Sequence, residues 1–149
     1  MLLQTKFLAP AFNPKSVDRS RLLARLDPRS ARKLVLVSAP AGFGKTTLVL
    51  QWLHSHEKAF SWLSLDETDN QAIRFWRYIV GAIATNIKDF GAEATQLLEK
   101  KEHPEAACTA LINELSQHSI SGTRMTLVLD DFHVIDDPET LRTFAYFID

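Results

Sequence analysis

Leu34-Val35-Leu36-Val37-Ser38-Ala39-Pro40-Ala41-Gly42-Phe43-Gly44-Lys45-Thr46-Thr47 is the stretch on which the reading of this chain turns. Its first four residues are apolar and partly β-branched, and they predict a buried strand over Leu34–Ser38. After Thr47, Leu48-Val49-Leu50-Gln51-Trp52-Leu53 reads as a helix running to about Ser55. Strand, glycine loop and helix in that order form the context of a phosphate-binding loop.

Each residue type has a physical reason to be there. Gly42 and Gly44 allow positive φ and a close approach of backbone to an anion. Successive loop N–H groups then point inward at a helix N-terminus, where the helix dipole adds partial positive charge. Lys45 is placed to reach the β- and γ-phosphates of a nucleotide, and the Thr46 hydroxyl to ligate Mg²⁺. The candidate binding residues are therefore Ala39, Pro40, Ala41, Gly42, Phe43, Gly44, Lys45, Thr46 and Thr47. The usual motif begins with glycine. Ala39 stands there instead, at the strand end, where a methyl group is commonly accommodated.

A second motif lies downstream. Thr126-Leu127-Val128-Leu129-Asp130-Asp131 is an apolar strand ending in two carboxylates. The C-terminal edge of a parallel sheet opens on the ligand crevice. Asp130 is expected to hold Mg²⁺, directly or through water. Asp131 is the candidate catalytic residue, able to orient or deprotonate an attacking water. Acidic residues after strands are common. Its position downstream of the glycine loop makes this pair informative.

Between the two motifs the pattern alternates. Ala59–Leu65 reads as a strand, Gln71–Asn86 as a helix capped by Asp69 or Asn70, and Ala92–Lys100 and Pro104–Ser116 as further helices. The stripe Ile73, Trp76, Ile79, Val80, Ile83 and Ile87 has helical spacing. Met125–Leu129 is the third expected strand, and Asp137-Pro138 opens a last helix bearing Leu141, Phe144 and Ile148. Before the loop, Arg19–Leu26 reads as a short helix stopped at Asp27-Pro28. Residues 1–16 read as an extended arm, with Pro10 and Pro14 discouraging regular structure. Strands alternating with helices imply an α/β fold with a parallel sheet flanked by helices.

Composition narrows the class. The chain has 149 residues, 46% apolar and 23% charged, which is the range of an ordinary globular domain. Its net charge of −1 gives no bulk attraction to nucleic acid. Residues 1–33 are nonetheless basic, and Arg19 and Arg21 are candidates for the base or ribose side of a nucleotide site. The five histidines show no metal-ligand spacing. Arg74-Phe75-Trp76-Arg77-Tyr78 reads as core aromatics with solvated arginines, Glu99–Glu102 as a solvated helix end, and Cys108 as a small core residue. The N-terminus lacks a signal peptide's apolar length and no run approaches a membrane span, so a cytoplasmic location is expected.

Several blocks carry a resemblance. Thr5-Lys6-Phe7-Leu8-Ala9-Pro10, Val17-Asp18-Arg19-Ser20-Arg21-Leu22-Leu23, Val37–Thr47, Trp62-Leu63-Ser64-Leu65-Asp66-Glu67-Thr68-Asp69-Asn70 and Leu127–Ile135 resemble the N-terminal nucleotide-binding domain of MalT-like regulators. These are ATP-responsive, LuxR-type transcription activators of the STAND class. The resemblance implies a NACHT-like P-loop NTPase domain over residues 17–149, with Walker A and Walker B motifs at Lys45 and Thr46 and at Asp130. It implies ATP or ADP with Mg²⁺ as ligands, Val17–Leu22 beside adenine and ribose, and slow hydrolysis that resets a switch.

Such regulators continue for hundreds of residues. On this reading the sensor and DNA-binding modules lie outside the chain, DNA is contacted only through them, and turnover by these residues alone is weak. The resemblance also implies sheet order 5-1-4-3-2, of which only strands 1 to 3 are encoded. Strand 1 would then lack both neighbours, which predicts marginal stability, direct pairing with strand 3, or self-association or pairing with longer homologous subunits. Two alternatives from other classes are a small P-loop kinase and a nucleotide-independent interaction fragment.

Overall fold

A computed structural model describes residues 2–17, 19–26, 34–56, 60–100, 103–120 and 125–149. Asp27-Pro28, Ala59 and Lys101-Glu102, all used in the sequence reading, lie outside them. The chain divides into two compact units: Met1–Ala9 with Ala59–Asp149, and Pro10–Lys58.

The larger unit holds the sheet. Strands β1 (Phe60–Ser64) and β2 (Thr126–Asp130) pair in parallel, with Phe60 beside Thr126 and Ser64 beside Asp130. Ser61, Trp62 and Leu63 are all buried, as in a parallel strand covered on both faces. Helices α3 (Ala72–Ala84), α4 (Ala92–Glu99), α5 (Pro104–Ile120) and α6 (Pro138–Ile148) follow the expected order. Helix α3 packs on β1, and α4, α5 and α6 pack against it. Phe75, Trp76, Ile79 and Ile83 of α3 are fully buried and meet Leu63, Leu98, Cys108 and Leu111 in one core. This arrangement is a partial α/β P-loop NTPase-type domain.

Several local expectations are corrected. Leu34–Ser38 has no regular secondary structure and is not part of a sheet among the described residues, and Leu34, Val35 and Leu36 are exposed. A β-prone run becomes a strand only when a neighbour accepts its hydrogen bonds. Neither Asp69 nor Asn70 caps α3: its N-cap is Gln71, without a side-chain bond. Asp69 is buried in an ion cluster, and Asn70 instead accepts from Asp136 N and Asp137 N at 3.0 and 2.8 Å. Arg74 is not simply solvated, because its Nε donates to Asp69 at 3.0 Å. In α6, Leu141 is exposed while Thr140 and Thr143 are buried, since Trp76 Nε1 donates to Thr143 Oγ1 and turns that face inward. Asp137 does cap α6, accepting from Thr140 N at 2.8 Å.

Ahead of Pro10, a 3-10 turn at Gln4–Phe7 stands where extended backbone is expected. Phe7 and Leu2 close over Gly81 of α3, where a Cβ would meet them at 2.7 and 2.8 Å. Only glycine leaves room for this segment.

Candidate functional site

The smaller unit, Pro10–Lys58, contains helix α1 (Ser20–Leu23), a 3-10 turn at Ala24–Leu26, and helix α2 (Lys45–His56). The glycine loop lies directly before α2. Gly42 and Gly44 both have positive φ, +80° and +76°, the left-handed region that glycine enters without a Cβ penalty. Phe43 N reaches back to Pro40 O at 3.4 Å, and Leu48 N to Gly44 O at 3.0 Å, so the turn passes straight into the helix.

Lys45 opens the helix and folds its Nζ onto the loop's own carbonyls, Ala39 O at 2.8 Å and Pro40 O at 3.3 Å. Arg19 also reaches the loop, its Nη1 donating to Phe43 O at 2.7 Å. The guanidinium lies across Gly44, where an added Cβ would stand 2.8 Å from Nη2. Above Gly42 no described residue lies within 4 Å of that position. Gln51 ties α2 to the segment before α1, donating to Ser16 Oγ and Val17 O at 2.9 Å each. Arg21 is exposed on α1, and Ala39, Pro40, Ala41 and Phe43 are exposed along the loop. Thr46 and Thr47 are half-buried in the first turn of α2.

The two acidic candidates sit in the larger unit. Asp130 is the last residue of β2, and its carbonyl accepts from Leu65 N at 3.0 Å. Asp131 has φ +58°, a left-handed conformation that breaks the strand and starts the turn Phe132–Val134. That carboxylate is more than half exposed, with His133 Nδ1 3.7 Å away. An open groove of about 480 Å³ lies nearby, lined by Glu67, Asn70, His133, Val134 and Asp136. No candidate site residue lines it, and its two carboxylates disfavour a phosphate. Among the described residues no His, Cys, Asp and Glu group has the arrangement of a metal cage.

Sequence reasoning missed an ionic cluster in the larger unit. Lys6 Nζ bonds the buried carboxylate of Asp69 and lies 2.7 Å from Asp66 Oδ2. The Lys6 hydrogen bond, then that from Thr68, holds the Asp66 carboxyl down at about 2. Burial works against the Lys6 ammonium, but its bonds to Asp66 and Asp69 outweigh it and its pKa rises. Both partners lie in blocks quoted above for the resemblance, which is the one signal that could have found them.

A positive-φ glycine turn feeding a lysine-headed helix, in a chain with a parallel sheet, defines a P-loop ATPase-type protein. Residues 16–149 match the family described as AAA ATPase domain, and the chain belongs to that family. It is MalT-like within it. It is 34% identical over 149 residues to HTH-type transcriptional regulators MalT of Klebsiella pneumoniae subsp. pneumoniae, of a second Klebsiella pneumoniae strain, and of Cronobacter sakazakii. Each alignment covers 99% of this chain and 16% of the relative. The chain thus spans about one sixth of the length of these curated relatives. No helix among the described residues is long and apolar enough to cross a membrane.

Proposed function

We propose that this chain is the nucleotide-binding switch domain, beginning near residue 17, of a MalT-like, ATP-dependent transcription activator. It holds ATP or ADP with Mg²⁺ at the turn from Ala39 to Thr47. The observation that carries this reading is the pair of left-handed glycines, Gly42 and Gly44, leading into Lys45 as the first residue of α2. That geometry is costly for any other residue and serves to bring backbone N–H groups against an anion.

The roles follow from chemistry. Lys45 exchanges the carbonyls of Ala39 and Pro40 for phosphate oxygens, a stronger, charge-assisted pairing. Thr46 is the loop's ligand for Mg²⁺, and Arg19 and Arg21 flank the nucleotide. The protein works in the cytoplasm, where ATP is supplied. Calorimetric titration with MgATP and MgADP tests the site. Lys45→Ala is expected to weaken both by at least about tenfold, roughly 1.4 kcal/mol. Unchanged affinity overturns the assignment.

A second reading is favoured by Leu34, Val35 and Leu36, a β-prone run that is 53%, 49% and 79% exposed and outside any described sheet. Such a run pairs readily with another strand, from a second copy or a longer homologous subunit. Gel filtration with and without nucleotide discriminates. Self-association that Val35→Lys abolishes and nucleotide leaves unchanged supports interaction as the main role; a monomer at all concentrations excludes it.

A further inference from the structure

Arg19 belongs to two structures at once. Its side chain is on the glycine loop, through Nη1 to Phe43 O at 2.7 Å and through Nη2 across Gly44. Its main-chain carbonyl starts α1, accepting from Leu22 N at 2.8 Å and Leu23 N at 3.0 Å. Helix α1 is only four residues long, and its N-cap residue makes no side-chain cap bond. A helix this short has little stability of its own, so its closure depends on how firmly Arg19 is held.

We propose that Arg19 transmits phosphate occupancy of the loop to α1, a coupling that rests on the nucleotide-binding reading above. The guanidinium has five donors in a fixed fork, and one of them engages Phe43 O. A phosphate at the Gly42–Lys45 turn supplies an ionised acceptor beside Nη2. Arg19 is then gripped by the carbonyl and the anion together, and its backbone loses freedom. The amides of Leu22 and Leu23, which bond to the Arg19 carbonyl, open less often. This places Arg19 on the phosphate side of the nucleotide, so it reads the presence of phosphate and not the identity of the base. Arg19 is a positioning residue in this scheme. The ligand class it responds to is any phosphorylated compound that fills the loop.

Amide hydrogen exchange over residues 19–26 tests the coupling, with calorimetry alongside to establish binding. In the wild-type chain, saturating MgADP is expected to slow exchange at Leu22 and Leu23 at least about threefold, and adenosine to leave it unchanged. Arg19→Gln at saturating MgADP is expected to lose that response, and Arg19→Lys to recover part of it. A wild-type chain that binds MgADP without a change over 19–26 overturns the coupling and leaves the nucleotide site standing. So does an equal response in Arg19→Gln.

If calorimetry detects no MgADP binding, the nucleotide reading has failed, and the mechanical link is judged without ligand. Gly42→Ala and Gly44→Ala both place a methyl on left-handed backbone, but only the second meets Arg19, at 2.8 Å. Faster exchange over 19–26 in Gly44→Ala than in Gly42→Ala supports the link from loop to α1. Equal exchange in the two overturns it.

Discussion

Lys6 Nζ sits on the carboxylate of Asp69, 63 residues further along the chain, and both side chains are buried. Asp69 also accepts from Arg74 Nε at 3.0 Å and from Asp66 N at 3.0 Å, so its charge is satisfied from three directions. Lys6 lies 4.9 Å from the centre of the Tyr78 ring, whose hydroxyl accepts from Leu3 N. The N-terminal segment is thereby fastened to the turn after β1 and to α3. In sequence, residues 10–58 of the smaller unit are inserted between the two segments of the larger one.

Removing one partner of a buried ion pair leaves the other charge uncompensated. Lys6→Met is therefore expected to destabilise the chain by about 3 kcal/mol, the low end of the usual range because Arg74 still holds Asp69. Adding Asp69→Asn to it should recover part of the loss. Urea denaturation followed by circular dichroism measures both. A loss below about 0.5 kcal/mol, the scale of an ordinary surface change, would show that the cluster is not a fastening.

The cluster sets a pH window. Asp66 titrates at about 2 instead of 3.8, so its contribution is complete above pH 3.8 and is lost as pH falls towards 2. Lys6 is raised above 10.5, so its contribution is complete below 10.5 and is lost as pH rises through the higher folded value. The stability difference between wild type and Lys6→Met should thus stay constant from about pH 5 to 9 and shrink below about pH 4. A difference that grows on acidification contradicts the assignment.

Cys108 is the single cysteine, fully buried, with its thiol 3.6 Å from Thr143 O. Burial pushes its pKa up to about 12. Thiolate is the reactive form, so labelling by a disulfide reagent at pH 8 should be slower than in urea by about a thousandfold or more, limited by opening of the core. Prompt labelling of the native chain would mean that α5 and α6 are not packed as described.

Much of the geometry of the candidate loop was legible because it is local. Gly42, Gly44 and Lys45 lie within four consecutive residues, and the backbone freedom they require is written in residue type alone. The helices were legible for a similar reason, since the α3 stripe through Trp76, Ile79 and Ile83 repeats at the helical period and those residues are buried. Arg19 was legible as a candidate but not in its contact, because reaching Phe43 requires the chain to fold back across 24 residues. Asp69 looked like a helix cap because a short acid before a helix commonly is one. Its actual partners come from the distant N-terminus, and no local pattern announces them.

By itself the sequence determined the glycine turn, the order of helices and the apolar face of α3, since each depends on intrinsic backbone preference or on the periodicity of burial. Tertiary structure alone decided which of the strand-like segments pair and which charges are paired. Leu34–Ser38 has all the composition of a strand and remains outside any described sheet, whereas Phe60–Ser64 and Thr126–Asp130 find each other. A ladder hydrogen bond needs a second chain segment at the right distance, and an ion pair needs a partner brought there by the fold. Neither condition belongs to the residues that carry the groups.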